Sequence, residues 1–454
     1  MNRQISLLIG IGLAISIQAQ TLDGEWKGIL QAGAQKLNVV FNFKKTEDGK
    51  FQCTMDSPDQ GAKGIPATMK VITPDSFNVE IPALRVRYDG KLKKNEIKGT
   101  FNQGGMSFDL NLTPGELVRN RPQTPVAPYS YKSEEVVFIN EKDQSVLSGT
   151  LTYPVGYEKM NKINVPVVLM VSGSGAQNRD EEVFGHKPFL VIADYLAKNG
   201  IASLRYDDRG VGQSKGDISN LTTEGNMRDA EAGTEYLKKL NKFAKVGVLG
   251  HSEGGTIAFM LGEKGKIDFV ISMAGAAIKG DQILLEQNQR LLKTLGMPDQ
   301  QIADYCKILA ELFIYKGKDV EDPQEVLNEI IARSQANIPD GAKANLLKVL
   351  TTKNPWIDYF ISLDPSKAIS GVKCPVFVLN GEKDLQVIAS SNLDTIKKLL
   401  SNDKTNRIKS YPGLNHLFQT CQTGDVTEYG IIEETISPEV LEDIKVWIKS
   451  LPVN

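Results

Sequence analysis

Hydrophobic and polar residues alternate in short segments through the first quarter of the chain. Phe108, Leu110 and Leu112, for example, are separated by the polar residues Asp109 and Asn111. Similar strand-like segments cover residues 36–43, 51–55, 68–73, 76–81, 96–101 and 106–112. Turn-forming pairs lie between them, namely Asp48-Gly49, Asp89-Gly90 and Gly104-Gly105. These segments, with no helical stretch among them, predict a small antiparallel all-β domain over residues 20–113.

The pattern changes after residue 113. Residues 114–130 contain four prolines and little apolar periodicity, which is typical of a semi-rigid linker. From Tyr131 onward, apolar runs alternate with segments of helical spacing. Residues 165–171 form a near-continuous apolar run, as expected of a parallel strand that is covered on both faces. This alternation predicts an α/β domain over residues 131–454, built on a doubly wound and mostly parallel sheet.

A long insertion interrupts the α/β pattern between Ile278 and Pro365. Strand-like runs stop there, and helical spacing continues over residues 283–295 and 300–314. An insertion of this size after a core strand predicts a helical cap, about residues 278–365, over the carboxyl edge of the sheet. The chain then returns to strand and helix patterns and ends on an amphipathic helix over residues 439–451.

Residues 1–19 have the features of a bacterial signal peptide. Arg3 supplies a positive charge, residues 5–17 form a short apolar run, and Ala19 is the small residue expected before a cleavage site. The run is shorter than the ~20 apolar residues that a membrane-spanning helix needs. Because Cys53 is the first cysteine, a lipid-anchoring cysteine at the cleavage site is excluded. We expect export to the periplasm or the extracellular space; an uncleaved N-terminal anchor is the alternative.

The composition narrows the classes of partner and site. The 454 residues include 53 Lys and Arg against 55 Asp and Glu, a formal net charge of −2. This weak acidity argues against nucleic acid or an anionic membrane surface as partner. Three histidines and four scattered cysteines show no metal-ligand spacing, so we expect neither a metal nor a cofactor. In an oxidising compartment one or two disulfides can form, and the three pairings of four cysteines stay open.

One short motif carries a candidate nucleophile. Residues 250–254 read Gly-His-Ser-Glu-Gly and match the pattern G-x-S-x-G. A strand-like run over residues 245–249 precedes the motif and a helical run over residues 255–261 follows it, which is the context of a nucleophile elbow. Glycines at both ends keep side chains away from adjacent backbone at such a tight turn. This context favours Ser252 as a catalytic nucleophile over an incidental serine in a glycine-rich turn.

A serine hydroxyl needs a base within hydrogen-bond reach, and in this arrangement the acid and then the histidine follow the serine. His416 is the only histidine downstream of the motif, and it stands between a strand-like run and the last helix. His251 adjoins the nucleophile, so the elbow should point it elsewhere. His186 begins a predicted helix and is expected to pack or cap. The base is therefore predicted to be His416.

The orienting acid should follow a strand that lies between the serine and the histidine in sequence. Residues 375–379 form an apolar strand-like run, and a glycine turn leads from it to Asp384. Asp384 would hold the imidazole of His416 in the productive tautomer and stabilise the imidazolium that forms. Glu382 in the same turn is the alternative.

Backbone N–H groups must also face the oxyanion of the tetrahedral intermediate. Glu253, directly after the nucleophile, is expected to supply one N–H group. The glycine-rich loop over residues 172–180 is expected to supply the second from Ser174, with Gly175 as the neighbouring alternative. A phosphate-binding loop is disfavoured, because no lysine follows at the required spacing. Arg209, which is flanked by carboxylates, is expected to form a structural ion pair rather than to take part in catalysis.

The ordered set of motifs resembles bacterial carboxylesterases of the α/β-hydrolase superfamily. These are related to the serine aminopeptidase and prolyl oligopeptidase-like hydrolases, and several carry an N-terminal β module. The resemblance covers residues 131–453 and rests on residues 178–180, 207–210, 250–254, 381–387 and 414–418. It implies a triad of Ser252, Asp384 and His416, no cofactor, and activity on short-chain acyl esters. The glycine loop departs from the pattern, because it begins Ser172-Gly173 rather than with the His-Gly of many lipases.

We therefore expect a serine hydrolase that cleaves small-molecule carboxylic esters through an acyl-enzyme intermediate. A peptidase or amidase of the same fold would use the same triad, so the residues leave that alternative open. A third hypothesis is that the protein is not an enzyme and binds a cell surface. Contact between the β domain and a glycan or another surface component is compatible with each of these functions.

Overall fold

In this computed structural model, the structure describes residues 22–32, 35–60, 62–73, 75–117, 119–161 and 164–452. The chain divides into two compact units, Met1–Val118 and Arg119–Asn454. The predicted signal peptide lies outside the described residues. Within the described part of the chain, no helix is both long enough and apolar enough to cross a membrane.

The first unit is an antiparallel sheet that closes on itself. Its strands are β1 (Gly24–Ala32), β2 (Gln35–Lys45), β3 (Phe51–Ser57), β4 (Ala62–Thr73), β5 (Ser76–Ile81), β6 (Val86–Lys93), β7 (Glu96–Gln103), β8 (Met106–Asp109) and β9 (Thr113–Pro114). Strands β1 to β8 pair each with the next, and β9 pairs with β1. Between β8 and β9, Leu112 exchanges two backbone hydrogen bonds with Ile97 on β7. One continuous segment therefore joins both edges of the sheet around a core that includes Phe41 and Tyr88.

One predicted turn of this unit is wrong. Asp89 and Gly90 lie inside β6, whereas Gly49 and Gly104 do adopt the positive φ angles of turn residues. Gly90 pairs with Gly99 on β7, and a Cβ atom on Gly90 would lie 2.7 Å from the ring of Phe77. The glycine is needed because an aromatic ring packs against the backbone, and not because the chain reverses there.

The second unit contains an eight-stranded mixed sheet. Its strands are β10 (Ser133–Asn140), β11 (Ser145–Thr152), β12 (Pro166–Val171), β13 (Ala202–Tyr206), β14 (Lys245–His251), β15 (Phe269–Met273), β16 (Val376–Gly381) and β17 (Arg407–Tyr411). Their order in the sheet is β10-β11-β13-β12-β14-β15-β16-β17. Strands β12 to β17 are parallel, and β10 and β11 form an antiparallel hairpin at one edge. The predicted fold class is confirmed, with a hairpin edge that the alternating pattern did not single out.

Helices follow the strands of this sheet. They are α1 (Pro188–Lys198), α2 (Thr223–Lys239), α3 (Glu253–Glu263), α4 (Gly280–Thr294), α5 (Asp299–Phe313), α6 (Pro323–Ser334), α7 (Asp340–Thr351), α8 (Pro355–Phe360), α9 (Ser366–Ser370), α10 (Ala389–Leu399), α11 (Val426–Tyr429) and α12 (Pro438–Ser450). Strand β12 shows why its sequence is apolar throughout. Val167, Leu169 and Val171 pack into one apolar cluster, while Val168 and Met170 pack into the other on the opposite face.

Helices α4 to α8 lie between β15 and β16, within the insertion predicted as a cap. Helices α5 to α7 enclose an apolar cluster of their own, to which Ile308, Leu312, Leu327 and Leu346 contribute. Parallel strands end at one edge of a sheet, and an insertion after β15 starts at that carboxyl edge. The cap helices are therefore connected where ligands bind in open α/β sheets.

The predicted linker is only partly separate from the second unit. That unit begins at Arg119, and the side chains of Arg119 and Arg121 both donate hydrogen bonds to the carbonyl oxygen of Gly430. Arg121 also donates to the carbonyl oxygens of Phe184 and Ile432. The proline content that predicted a linker carried no information about these side-chain contacts. The four cysteines, all among the described residues, are free.

Candidate active site

Ser252 stands on a sharp turn between β14 and α3. Its backbone has φ 53° and ψ −120°, a conformation that L-residues rarely adopt, and its N–H donates to the carbonyl oxygen of Met273 at 2.8 Å. A Cβ atom on Gly250 would lie 1.9 Å from the carbonyl oxygen of Gly254. A Cβ atom on Gly254 would lie 2.1 Å from the carbonyl oxygen of Val171. Both glycines are therefore required by close backbone contacts, and the strained serine is held at the end of its strand.

His416 and Asp384 meet at the carboxyl edge of the sheet. Asp384 follows β16, His416 follows β17, and Nδ1 of the imidazole lies 2.7 Å from Oδ2 of the carboxylate. The other carboxylate oxygen accepts the N–H groups of Gln386 and Val387 at 2.8 and 2.9 Å. With Asp384 only 2% exposed, its carboxylate has a single orientation fixed by backbone and ring. Glu382, the alternative acid, instead accepts a hydrogen bond from Ser410.

The loop that carries His416, residues 413–419, is fixed by its own hydrogen bonds. The side-chain oxygen of Asn415 accepts the N–H groups of Leu417 and Gln419, each at 3.0 Å. A Cβ atom on Gly381 would lie 2.3 Å from the carbonyl oxygen of Leu414. Glycine at the end of β16 thus allows this loop to approach the strand closely enough for His416 to reach Asp384.

Ser252 and His416 line the same cavity, which has a volume of about 530 Å³. Residues from the cap, among them Ile283, Trp356 and Phe360, form an apolar part of its wall. The structure thus brings together the three predicted triad residues, with Ser252 and His416 at the cavity and Asp384 bonded to the far side of the imidazole. A cavity of this volume is in the range of small-molecule sites.

The predicted oxyanion donors also border the cavity. Glu253 is the first residue of α3, where helix N–H groups have no partner within the helix. Its carboxylate is buried and accepts the indole N–H of Trp356 at 2.9 Å. Ser174 lies on the exposed loop after β12 and lines the cavity, whereas Gly175 is not among its described lining residues.

Two buried carboxylates hold the glycine loop in place, and neither was predicted as a site residue. Asp208 accepts hydrogen bonds from the hydroxyl of Ser172 and from the N–H of Gln177, both at 2.9 Å. Burial raises the pKa of Asp208 to about 7. Glu181 accepts the N–H of Gly173 at 2.7 Å and lies 2.9 Å from Nδ1 of His251. The available signal was the density of acidic residues just after the glycine loop and after β13.

His186 and Arg209, which were predicted to have structural roles, both lie outside the cavity lining described above. His186 precedes α1 and is fully buried between the hydroxyl of Thr435 and the carbonyl oxygen of Tyr429. Burial lowers the pKa of His186 to about 4, so the ring is neutral at pH 7. Arg209 lies between Asp143 and Asp229, at 3.0 and 2.7 Å, as expected of a structural ion pair.

No group of three or more His, Cys, Asp or Glu side chains within the described ranges is arranged to hold a metal ion.

The chain is similar in sequence or structure to several known proteins. Esterase EstD of Thermotoga maritima is 27% identical over 314 residues, which make up 68% of this chain and 67% of that protein. Esterase Pf2001 of Pyrococcus furiosus has a TM-score of 0.42 at 15% identity, covering 74% of this chain and 98% of that one. Est1E of Butyrivibrio proteoclasticus, solved with ferulic acid bound, has a TM-score of 0.42 at 17% identity. The match covers 69% of this chain and 98% of Est1E.

A family model described as serine aminopeptidase, S33, matches residues 187–420, just over half of the chain. The matched range contains Ser252, Asp384 and His416, the three side chains that the fold brings to one edge of the sheet. The chain is an α/β-hydrolase and belongs to the serine aminopeptidase S33 family.

Proposed function

We propose that this protein hydrolyses carboxylic esters of small molecules through an acyl-enzyme on Ser252. The observation that carries the proposal is the 2.7 Å contact between Asp384 and Nδ1 of His416 beside the cavity into which the elbow presents Ser252. A buried carboxylate on Nδ1 requires a proton on that nitrogen, which leaves Nε2 free to accept one. The neutral imidazole is thus held as a general base.

The first half-reaction forms the acyl-enzyme. As the hydroxyl oxygen of Ser252 bonds to the ester carbonyl carbon, its proton passes to Nε2 of His416, and Asp384 stabilises the imidazolium. The backbone N–H groups of Glu253 and Ser174 donate to the oxyanion. The carbon–oxygen bond to the alcohol then breaks, and the imidazolium returns its proton to the departing alkoxide.

In the second half-reaction, water hydrolyses the acyl-enzyme with the help of the same groups. His416 removes a proton from water as the water oxygen attacks the acyl carbon, and it returns that proton to the oxygen of Ser252 when the acyl bond breaks. The products are one carboxylic acid and one alcohol for each water consumed. No step needs a group beyond these side chains and backbone donors.

An ester is preferred to an amide in this proposal. The chain's S33 family is named for aminopeptidases, whereas EstD is named as an esterase. An amine is a poorer leaving group than an alcohol and must be protonated as it departs. The test compares aryl esters with anilides of the same acyl group, using the purified full chain. If kcat/KM is higher for the anilide than for the matched ester, the protein is an amidase and the proposed ester preference is wrong.

The proposal favours short acyl chains. The cavity of about 530 Å³ is shared by both sides of a bound ester, and the cap residues Ile283 and Phe360 limit its apolar part. A series of aryl esters with acyl groups of increasing length is expected to give its highest kcat/KM at the short end. A steady rise toward long acyl chains would contradict this expectation.

We also propose that the protein is exported. The support is the sequence of residues 1–19, with its positive charge, apolar run and small residue before the expected cleavage site. The N-terminal sequence of protein recovered from the periplasm or medium of a bacterial host tests this. Recovery of the full chain only from the cytoplasm would contradict it.

We also propose that the first unit binds a component of the cell surface. Ile29, Val71, Ile72 and Met106 of that unit are each more than half exposed, which makes apolar contact area available to a glycan or another cell-surface component. The test compares binding of the full chain and of a chain lacking residues 20–113 to purified cell-wall glycans. Equal binding by both would contradict this role.

A further inference from the structure

His251 and Glu181 form a second imidazole–carboxylate pair beside the proposed triad. Nδ1 of His251 lies 2.9 Å from Oε1 of Glu181, and Nε2 lies 2.9 Å from the main-chain oxygen of His416. The two side chains are only 6% and 5% exposed. Acyl transfer by Ser252 as described above uses neither of them, so this buried pair needs its own explanation.

The partners of His251 determine its charge. A carbonyl oxygen can only accept, so Nε2 must carry a proton to make its hydrogen bond to His416. Nδ1 faces a carboxylate, and the proton between an imidazole and a carboxylate resides on the more basic imidazole. Burial by itself lowers the pKa of His251, but the Glu181 carboxylate outweighs burial and raises it. Both contacts therefore favour a proton on each ring nitrogen of His251, opposite the carboxylate of Glu181.

The same pair contacts three separate segments of the active site. His251 adjoins Ser252 in the elbow, and its Nε2 holds the backbone of His416. Oε1 of Glu181 also accepts the N–H of Gly173, which precedes the oxyanion residue Ser174. Glu181 itself has a positive φ of 51°, a strained conformation that persists only where surrounding contacts maintain it.

We propose that the Glu181–His251 ion pair is a positioning pair, which sets the nucleophile elbow, the glycine loop and the loop of His416 in register with one another. The inference rests on the proposed function, because it assigns the pair to acyl transfer by Ser252. Both residues line the cavity, but acyl transfer as proposed assigns no proton or bond to either of them. Both act through the backbone that carries the reacting groups.

The charge of the pair has a second consequence. The rings of His251 and His416 are 4.8 Å apart, so a positive charge on His251 opposes protonation of its neighbour. The other charged groups that face the pair are the carboxylates of Asp384, which acts on His251, and Asp208, which acts on Glu181. Removing the positive charge while these carboxylates remain would make it easier for a second positive charge to form beside this pair.

Nitrogen-15 spectra of histidine-labelled protein test the charge directly and need no substrate. The chain has only three histidines, so His186→Gln and His251→Gln variants assign every signal. We expect His251 to show two protonated ring nitrogens at neutral pH, and buried His186 to show one. A neutral His251 at neutral pH would overturn the charged pair, whatever the enzyme hydrolyses.

Kinetics of two single variants and of the double variant test positioning. His251→Gln keeps a donor for the carbonyl of His416 but loses the charge, and Glu181→Gln keeps the size of the side chain but loses its charge. We expect each to lower kcat for a neutral aryl ester by roughly 10²-fold, as misplacement of reacting groups does, with little change in KM. The kcat of the double variant should be no lower than that of the less active single variant, since both substitutions break the same interaction.

The pH profile separates positioning from a general loss of folding. For His251→Gln, the acidic limb of kcat/KM should move to higher pH, because a nearby positive charge has been removed. His186→Gln is the matched control, because it removes a buried but neutral histidine and should leave the limb in place. An unmoved limb, or independent effects of the two substitutions, would overturn the inference. Absence of ester hydrolysis in the wild-type chain would overturn the proposed function instead.

Discussion

Asp384 approaches Nδ1 of His416 to 2.7 Å while its second oxygen accepts two backbone N–H groups. Both carboxylate oxygens thus accept hydrogen bonds, whereas an asparagine side chain has only one oxygen. Asp384→Asn would present an amide N–H group toward the ring and favour the wrong tautomer. We expect kcat for an aryl ester to fall by roughly 10⁴-fold.

Steady-state kinetics of Asp384→Asn measure this loss, with Glu382→Gln as the control. Glu382 bonds Ser410 and not His416, so its substitution should change kcat by less than about threefold. If the two variants lose activity equally, Asp384 is not the orienting acid.

The nucleophile assignment is tested at Ser252. Ser252→Ala leaves the elbow and the cavity intact but removes the attacking oxygen, so we expect kcat to fall by roughly 10⁶-fold. Labelling by a fluorophosphonate probe should be lost as well. Ser174→Ala is the matched control, because Ser174 is proposed to act through its backbone N–H and should remain labelled. Labelling of Ser252→Ala at the wild-type rate would refute the assignment.

The raised pKa of Asp208, about 7, predicts how stability depends on pH. An aspartate in the unfolded chain has a pKa of about 3.9. Between these values the folded protein binds the extra proton, so stability falls as pH rises from about 4 to about 7 and is level above that. Asp208→Asn cannot ionise, so its unfolding temperature relative to the wild type should be higher at pH 8 than at pH 5.

Thermal unfolding at both pH values measures this difference, which corresponds to at most about 3 kcal/mol between pH 5 and pH 8. Asp207→Asn is the control. Burial favours a raised pKa for Asp207, but its hydrogen bonds from Arg179 lower the pKa instead. Its contribution is fully present at both pH values, so this variant should show the same difference at each. An equal difference for Asp208→Asn would contradict the ionisation described here.

Arg121 does not line the cavity, but we expect its substitution to weaken substrate binding. Its guanidinium donates to the carbonyl oxygens of Phe184 and Gly430, each at 2.9 Å. Phe184 and Tyr429 are in edge-to-face contact and both line the cavity. Arg121→Ala should loosen this wall and raise KM by roughly tenfold, an effect of about 1.4 kcal/mol, with a smaller change in kcat.

Kinetics with the best ester found for the wild type give the KM and kcat of Arg121→Ala. Arg333→Ala is a suitable control, since Arg333 is two-thirds exposed on the cap and pairs with Glu311. Its KM should match that of the wild type. An Arg121→Ala variant with unchanged KM would show that the wall keeps its shape without the guanidinium.

The placement of the three proposed triad residues at one edge of the sheet was predictable because the sequence signals are local. Ser252, Asp384 and His416 each follow a strand-like run, and the carboxyl ends of parallel strands share one edge of a sheet. The helical cap was predictable for a similar reason, since strand patterns stop for a long interval. Chemistry that depends on position at a strand end can therefore be read from a single sequence.

The residues missed are those whose roles arise only in three dimensions. Glu181 and His251 are separated by 70 residues and meet because two strand ends are adjacent in the sheet. Gly90 has the sequence context of a turn, yet it is needed because the Phe77 ring packs against it. Arg121 lies among prolines, and nothing local indicates that it bonds carbonyl groups some 310 residues away.

The cap helices α5 to α7 pack around an apolar cluster of their own, separate from the two clusters of the sheet. Substitutions in the neighbouring α4, such as at Leu284, which lines the cavity, can alter which molecules fit while this cluster stays in place. Selection can thus retune the range of substrates while the hydrolytic apparatus stays intact. A chimaera that exchanges only this insertion would inherit its preferences from one parent and its chemistry from the other.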